Sequence, residues 1–205
     1  MPDHRSLAAA DPALAASTDL SVAAALLEAA LVGPEAAVHR GEVLAFIAAH
    51  EDAAHRSNLE GHLTGSALVV DAAGERTLLM LHRKLGRWFQ PGGHADGDTN
   101  LAAVALREAT EETGLAGLRV VVPAVDVDVH LVRPPAEPAH LHLDTRYVVL
   151  APAGEEEVGN EESLALRWVA EAELDALDPP IDPSTRRLVH RGLAVAREVF
   201  AAEVR

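Results

Sequence analysis

Apolar and polar positions along this chain change period as it proceeds. "TDLSVAAALLEAALVG" reads as a helix, with Thr18 or Asp19 as its cap and Gly33-Pro34 as its stop. "PEAAVHRGEVLAFIAAHEDAAH" predicts a second helix, with Pro34 at its first position and a break point at Gly41. Residues 1 to about 17 read as a mobile tail. Period two takes over near Leu63. "SALVV" and "TLLML" flank "DAAGER", the pattern of a hairpin with a short loop. In "LRVVVPAVDVDVHLV" strict alternation puts Asp126, Asp128 and His130 on one face of a strand. "HLHLDTRYVVLA" alternates too and puts His140, His142, Asp144 and Arg146 on one face. "LALRWV" predicts a further strand, followed by a short helix near residues 171–177. "DPSTRRLVHRGLAVAREVFAAEV" predicts a C-terminal helix with Pro183 at its start. The order is mixed α/β, with a helical N-terminal extension over residues 1–60 and a second unit over residues 61–205.

One segment does not fit a purely structural role. "QPGGHADGDTNLAAVALREATEETGL" opens on a Pro-Gly-Gly turn, continues as an alanine-rich helix and closes on Gly114. A helix advances about 100° per residue. Glu108, Glu111 and Glu112 therefore share one face, while Ala102, Leu106, Ala109 and Thr113 form a separate face able to pack on a core. Like charges at these spacings destabilise a helix by roughly 0.2–0.5 kcal/mol per pair. Arg107, four residues before Glu111, relieves part of this. A divalent cation would relieve more, because carboxylate oxygens are hard ligands and Mg²⁺ favours a few of them together with phosphate oxygens. The alternative is a solvated acidic face.

The flanking order decides between these readings. The stretch resembles the signature of the Nudix hydrolases: Gly, five residues, Glu, seven residues, then Arg-Glu-apolar-x-Glu-Glu-x-Gly-apolar. Gly93 fits the first glycine, and Arg107, Glu108, Ala109, Glu111, Glu112, Gly114 and Leu115 fit the second half without a gap. Thr99 stands where the pattern has its first Glu. The wider resemblance runs from about Leu63 to Leu177. It implies the Nudix fold, a mixed β-sheet held between α-helices. It also implies Mg²⁺- or Mn²⁺-dependent attack of water on a diphosphate linked to some other group. By the same resemblance Glu108 and Glu112 are direct metal ligands, and Glu111 holds water at the metal or acts as base. The Gly93 carbonyl adds a ligand, and Arg107 orients a glutamate. Asp96 and Asp98 lie in the same turn as Thr99 and are able to supply the charge that threonine lacks. In the other reading, Asp98 or Thr99 simply caps the helix.

Around this core lie further candidates. His94 follows the Gly-Gly turn, and His130, His140 and His142 sit on alternating strand faces. Such a cluster binds a second metal, holds phosphate or merely faces water. Lys84, the only lysine, is a candidate phosphate contact. Trp88 and Phe89 either stack on a nucleobase or fill the core, and Trp168 reads as core. "GEEEVGNEES" is a solvated acidic loop or the source of one more catalytic acid, Glu161 or Glu162.

Composition narrows the partners. At a formal net charge of −15, duplex nucleic acid is a poor partner. An anionic small-molecule diphosphate needs metal ions to bridge it. The absence of cysteine excludes disulfides and thiolate chemistry and fits a reducing, cytoplasmic setting. No signal peptide and no membrane span are expected. A homodimer is compatible with all of this. Two rival functions share the resemblance. One is a ligand-binding or regulatory module without catalysis, favoured by Thr99 alone. The other is an isomerase of isopentenyl diphosphate, disfavoured because that chemistry leans on a cysteine.

Overall fold

The computed structural model describes residues 4–134, 138–161 and 163–203. Eight strands form one mixed sheet: β1 (Arg5–Ala8), β2 (Gly61–Val70), β3 (Arg76–His82), β4 (Arg87–Phe89), β5 (Gly92–His94), β6 (Arg119–Val132), β7 (His140–Leu150) and β8 (Ser163–Ala170). The main path runs β1-β6-β7-β2-β3-β4, with β5 paired to β2 and β8 paired to β3. β2 runs parallel to β7, and the other pairings are antiparallel. The helices are α1 (Leu20–Ala29), α2 (Pro34–Ala49), α3 (Leu101–Thr113) and α4 (Pro183–Glu203).

β2 explains the layering. All ten of its residues are buried, because helices cover both faces of this central strand. Leu63, Ala67 and Val69 join a core shared with Leu27, Val43, Leu101, Ala105 and Ala109 of α1, α2 and α3. Leu68 and Val70 join a second core with Leu188, Leu193, Ala196 and Val199 of α4. Gly65 lets α3 approach closely, since a Cβ there would lie 2.8 Å from the Leu101 carbonyl oxygen. The mixed sheet between helices matches the fold that the motif implies.

The N-terminal region differs from expectation. Residues 5–8 are not a tail: they form β1, pair with β6 and bury Leu7. The edge of β6 offers a row of unpaired N–H and C=O groups, and β1 covers it. A turn of 3-10 helix, Pro12–Leu14, then buries Leu14. The extension is therefore not all helix, and α1 and α2 pack into the same core as α3. Asp19 caps α1 by accepting from the Ser21 N–H at 2.9 Å. α2 continues through Gly41 without a break and ends at Ala49, earlier than its sequence pattern suggests.

Candidate active site

The Pro-Gly-Gly turn and α3 meet where strand β5 runs beneath the helix. Glu112 is buried and accepts the Gly92 N–H at 3.0 Å. Glu108 lies directly over Gly93, so close that a Cβ at position 93 would collide with its carboxylate. A side chain there would displace the Glu108 carboxylate from the β5 backbone. Burial pushes the Glu108 carboxyl above its ordinary range; Arg107 opposes this, while Glu111 and Asp96 add to it. A half-buried carboxylate among negative neighbours gains from a nearby cation. Arg107 bridges the parts, donating to the His94 carbonyl at 3.2 Å and to Glu108 at 3.1 Å. Glu111 is exposed. With Arg107 it lines a cleft of about 290 Å³ closed by Ala9 and Leu14 of the N-terminal segment. The donor set is hard oxygen throughout and fits a Mg²⁺-class ion.

The turn before α3 serves another purpose. α3 is capped by Asn100, not by Asp98 or Thr99. Thr99 is fully buried, and its hydroxyl donates to the carbonyls of Ser17 (3.1 Å) and Asp19 (2.8 Å). Asp98 accepts the Ser17 N–H at 3.1 Å, and the Asn100 amide donates to the carbonyls of Ala13 and Ala15. Position 99 thus anchors the N-terminal segment. Asp96 is held by Arg56 in a two-pronged ion pair, 2.7 Å on its Nε side. Asp98 also lies 4.0 Å from Arg107 and Asp96 adds to the field on Glu108, but both are already engaged, by Ser17 and by Arg56.

A chain-wide match now bears on these residues. A model of the NUDIX domain family fits residues 62–192, well over half of the chain. The chain belongs to the Nudix hydrolase family. A Mycobacterium tuberculosis (strain H37Rv) protein named "Putative 8-oxo-dGTP diphosphatase 3" is 37% identical over 117 residues, 54% of this chain and 51% of that one. Its counterpart in strain CDC 1551 / Oshkosh matches equally. The chain spans about half the length of these curated relatives. Among solved structures, a Clostridium perfringens Nudix hydrolase shares 23% identity with a TM-score of 0.51, covering 66% of this chain and 97% of that one. A C. elegans Ap4A hydrolase shares 15% with a TM-score of 0.53, covering 66% and 98%. These structures show the Nudix fold.

Other candidates divide. Trp88 is core: it is buried against the α4 side, and its indole N–H donates to the Asp178 carbonyl at 3.2 Å. It is not placed to stack on a base. Lys84 is exposed on the turn between β3 and β4. Trp168, read as core, is partly buried and packs against the core, and its N–H donates to Glu157 at 2.9 Å. Glu161 is exposed on its loop, and Glu162 lies outside the described residues.

The polar strand faces coincide. β6 and β7 pair Asp126 with Arg146, Asp128 with Asp144 and His130 with His142. Arg146 is buried and donates to Asp144 (2.7 Å), Asp126 (3.2 Å) and Asp128 (3.2 Å). Arg187 and Ser184 of α4 join them, contacts that strand alternation gives no sign of. His62 was not foreseen either. It opens β2 opposite His142, a parallel register that no local pattern encodes. Burial first, and then His94, lower the His62 pKa to about 4. Burial, with His94 and three further histidines, lowers that of His142 to about 2. Both rings are neutral near pH 7.

Proposed function

We propose that this protein hydrolyses a diphosphate linkage in a nucleoside diphosphate-X type substrate, with Mg²⁺ or Mn²⁺ held by the carboxylates of α3. The supporting observation is Glu108 and Glu112 turned inward over the Gly92–Gly93 backbone, with the Glu108 carboxyl raised by burial. When bound, the divalent ion neutralises phosphate oxygens and makes water a better nucleophile. Glu108, Glu112 and the Gly93 carbonyl would hold it. Arg107 fixes the Glu108 carboxylate against the β5 backbone. Glu111, exposed at the rim, is free to turn toward solvent and take a proton from attacking water. Of the sequence candidates for substrate contact, His94 follows Gly93 on β5 but turns its ring to the opposite face, toward His62, and Lys84 lies on the exposed β3–β4 turn. The named relatives make an oxidised purine nucleoside triphosphate the first substrate to try. Dinucleoside polyphosphates, sugar nucleotides, ADP-ribose and coenzyme A follow.

The test is phosphate or pyrophosphate release across such a panel, with and without EDTA. Hydrolysis that EDTA abolishes and excess Mg²⁺ restores is the expected result. Full activity in metal-free buffer, or inertness toward every member of the panel, overturns the reading. Thr99→Glu is expected to add no activity, since position 99 is buried and its hydroxyl serves the N-terminal segment. A switch from inert to active on that substitution would favour a binding module instead.

A further inference from the structure

Five histidines gather on one patch of the sheet. His62, His94 and His142 come from three strands, β2, β5 and β7. Their ring centroids lie 4.8 Å (His62–His94), 5.1 Å (His62–His142) and 5.1 Å (His94–His142) apart. One ring nitrogen from each lies within 4.8 Å of the others. The two remaining histidines are already engaged: His140 Nδ1 faces the Pro138 carbonyl at 2.9 Å, and His130 Nδ1 faces Asp128 at 2.9 Å.

His62 is what makes the cluster more than a polar patch. It is 1% exposed, and among the described residues neither of its ring nitrogens makes a well-formed hydrogen bond. The Asn58 backbone lies near it, outside hydrogen-bonding geometry. A buried polar group without a partner costs free energy, and native proteins rarely leave one so. An aromatic core residue would fill this space without that cost. His94 and His142 are half-buried, so the cluster is not sealed from solvent.

We propose that His62, His94 and His142 form a binding site for a transition-metal ion of the Zn²⁺ class. Three imidazoles without a carboxylate select such an ion over Mg²⁺, which demands oxygen ligands. Tetrahedral coordination at bonds of about 2.0–2.1 Å sets neighbouring nitrogens about 3.3 Å apart. The nitrogens lie within 4.8 Å of one another and would close to that spacing on binding. Three protein ligands leave one position open on the solvent side. The site is separate from the carboxylates of α3. Successive strand residues face opposite sides of a sheet. Position 93 faces Glu108, and His94, the next residue, faces His62. No ligand is shared, so the site stands whether or not the carboxylate face hydrolyses diphosphates.

Metal-stripped full-length protein titrated with Co²⁺ in excess Mg²⁺, followed by visible absorption and Zn²⁺ competition, tests this. The expected result is one equivalent bound with a tetrahedral spectrum and displaced by Zn²⁺. His62→Ala, His142→Ala and His94→Ala should each weaken binding on the order of 100-fold or more. Glu108→Gln and Glu112→Gln should leave it unchanged. His94→Ala is the decisive variant, because its side chain is only partly buried and the fold should tolerate its loss, as circular dichroism would verify. The inference fails if no stoichiometric binding occurs in Mg²⁺. It fails equally if binding survives His94→Ala in a folded protein, or if the glutamate variants abolish it.

Discussion

Two clusters of three carboxylates sit in this protein, and their charges are settled in opposite ways. On α3, Arg107 holds the Glu108 carboxylate, yet burial, Glu111 and Asp96 leave the Glu108 carboxyl raised. On β6 and β7, Asp126, Asp128 and Asp144 surround Arg146, and Arg187 and Ser184 close the group from α4. Burial alone would raise Asp128, but His130, Arg146 and Ser184 together hold it well below the usual range. Burial works against the Arg146 proton as well, yet Asp144, Asp128 and Asp126 keep its pKa above normal. The aspartate cluster is complete in itself and ties α4 to the sheet. The glutamate cluster keeps one raised carboxyl, the feature on which the proposed metal site rests. Acidic residues on one face say nothing of function until the cations facing them are counted.

Removing Arg146 should break this comparison most violently. Arg146→Met keeps the length of the side chain but leaves three buried carboxylates short of a partner. Breaking a buried ion pair by deleting one member costs about 3–5 kcal/mol. Urea unfolding should show a loss of that size. A loss below about 1 kcal/mol would mean that Arg187 alone satisfies the cluster.

Glu112→Gln probes the other cluster and should affect activity rather than stability. Glutamine keeps the acceptor that Gly92 N–H uses but gives up the charge. We expect kcat to fall roughly 10²-fold, about 2.7 kcal/mol of transition-state stabilisation. The unfolding midpoint should hardly move. A fall below threefold in kcat on the best substrate would place the metal shell elsewhere. Arg146→Met and Glu112→Gln thus have opposite signatures if the two clusters differ as argued.

Much of the fold was legible because its signals are local. The period-two runs became β6 and β7, the "DAAGER" loop joined β2 to β3, and the alanine-rich face of α3 packed on the core. The glutamate cluster was legible for the same reason, as one helix carries all of it. What escaped depended on pairings between distant segments. Alternation put Asp128 and His142 on polar strand faces but did not reveal that Arg187 would neutralise one and His62 approach the other. β1 escaped because four residues are too short for a pattern and gain their order only from the free edge of β6. Trp88 was ambiguous because an aromatic beside a Gly-Gly turn reads the same whether it faces α4 or a ligand.

Thr99 gives the smallest effect and the finest cut, because it sits in the family motif yet belongs to neither cluster. Its hydroxyl spans the carbonyls of Ser17 and Asp19, its own N–H donates to Ser17 at 2.7 Å, and its side chain is wholly buried. Thr99→Ala leaves the backbone bond and removes the hydroxyl. A hydrogen bond of this kind contributes about 1 kcal/mol net, so the variant should lose about that much stability. Proteolysis should become faster first between residues 9 and 19, where the N-terminal segment loses its anchor. Turnover should stay within twofold of wild type, since the glutamates and Gly93 are untouched. Thr99→Ser, which restores the hydroxyl, should recover most of the stability. If Thr99→Ala instead cost tenfold in activity with no change in stability, the threonine would belong to the metal shell after all, and its docking role would be incidental.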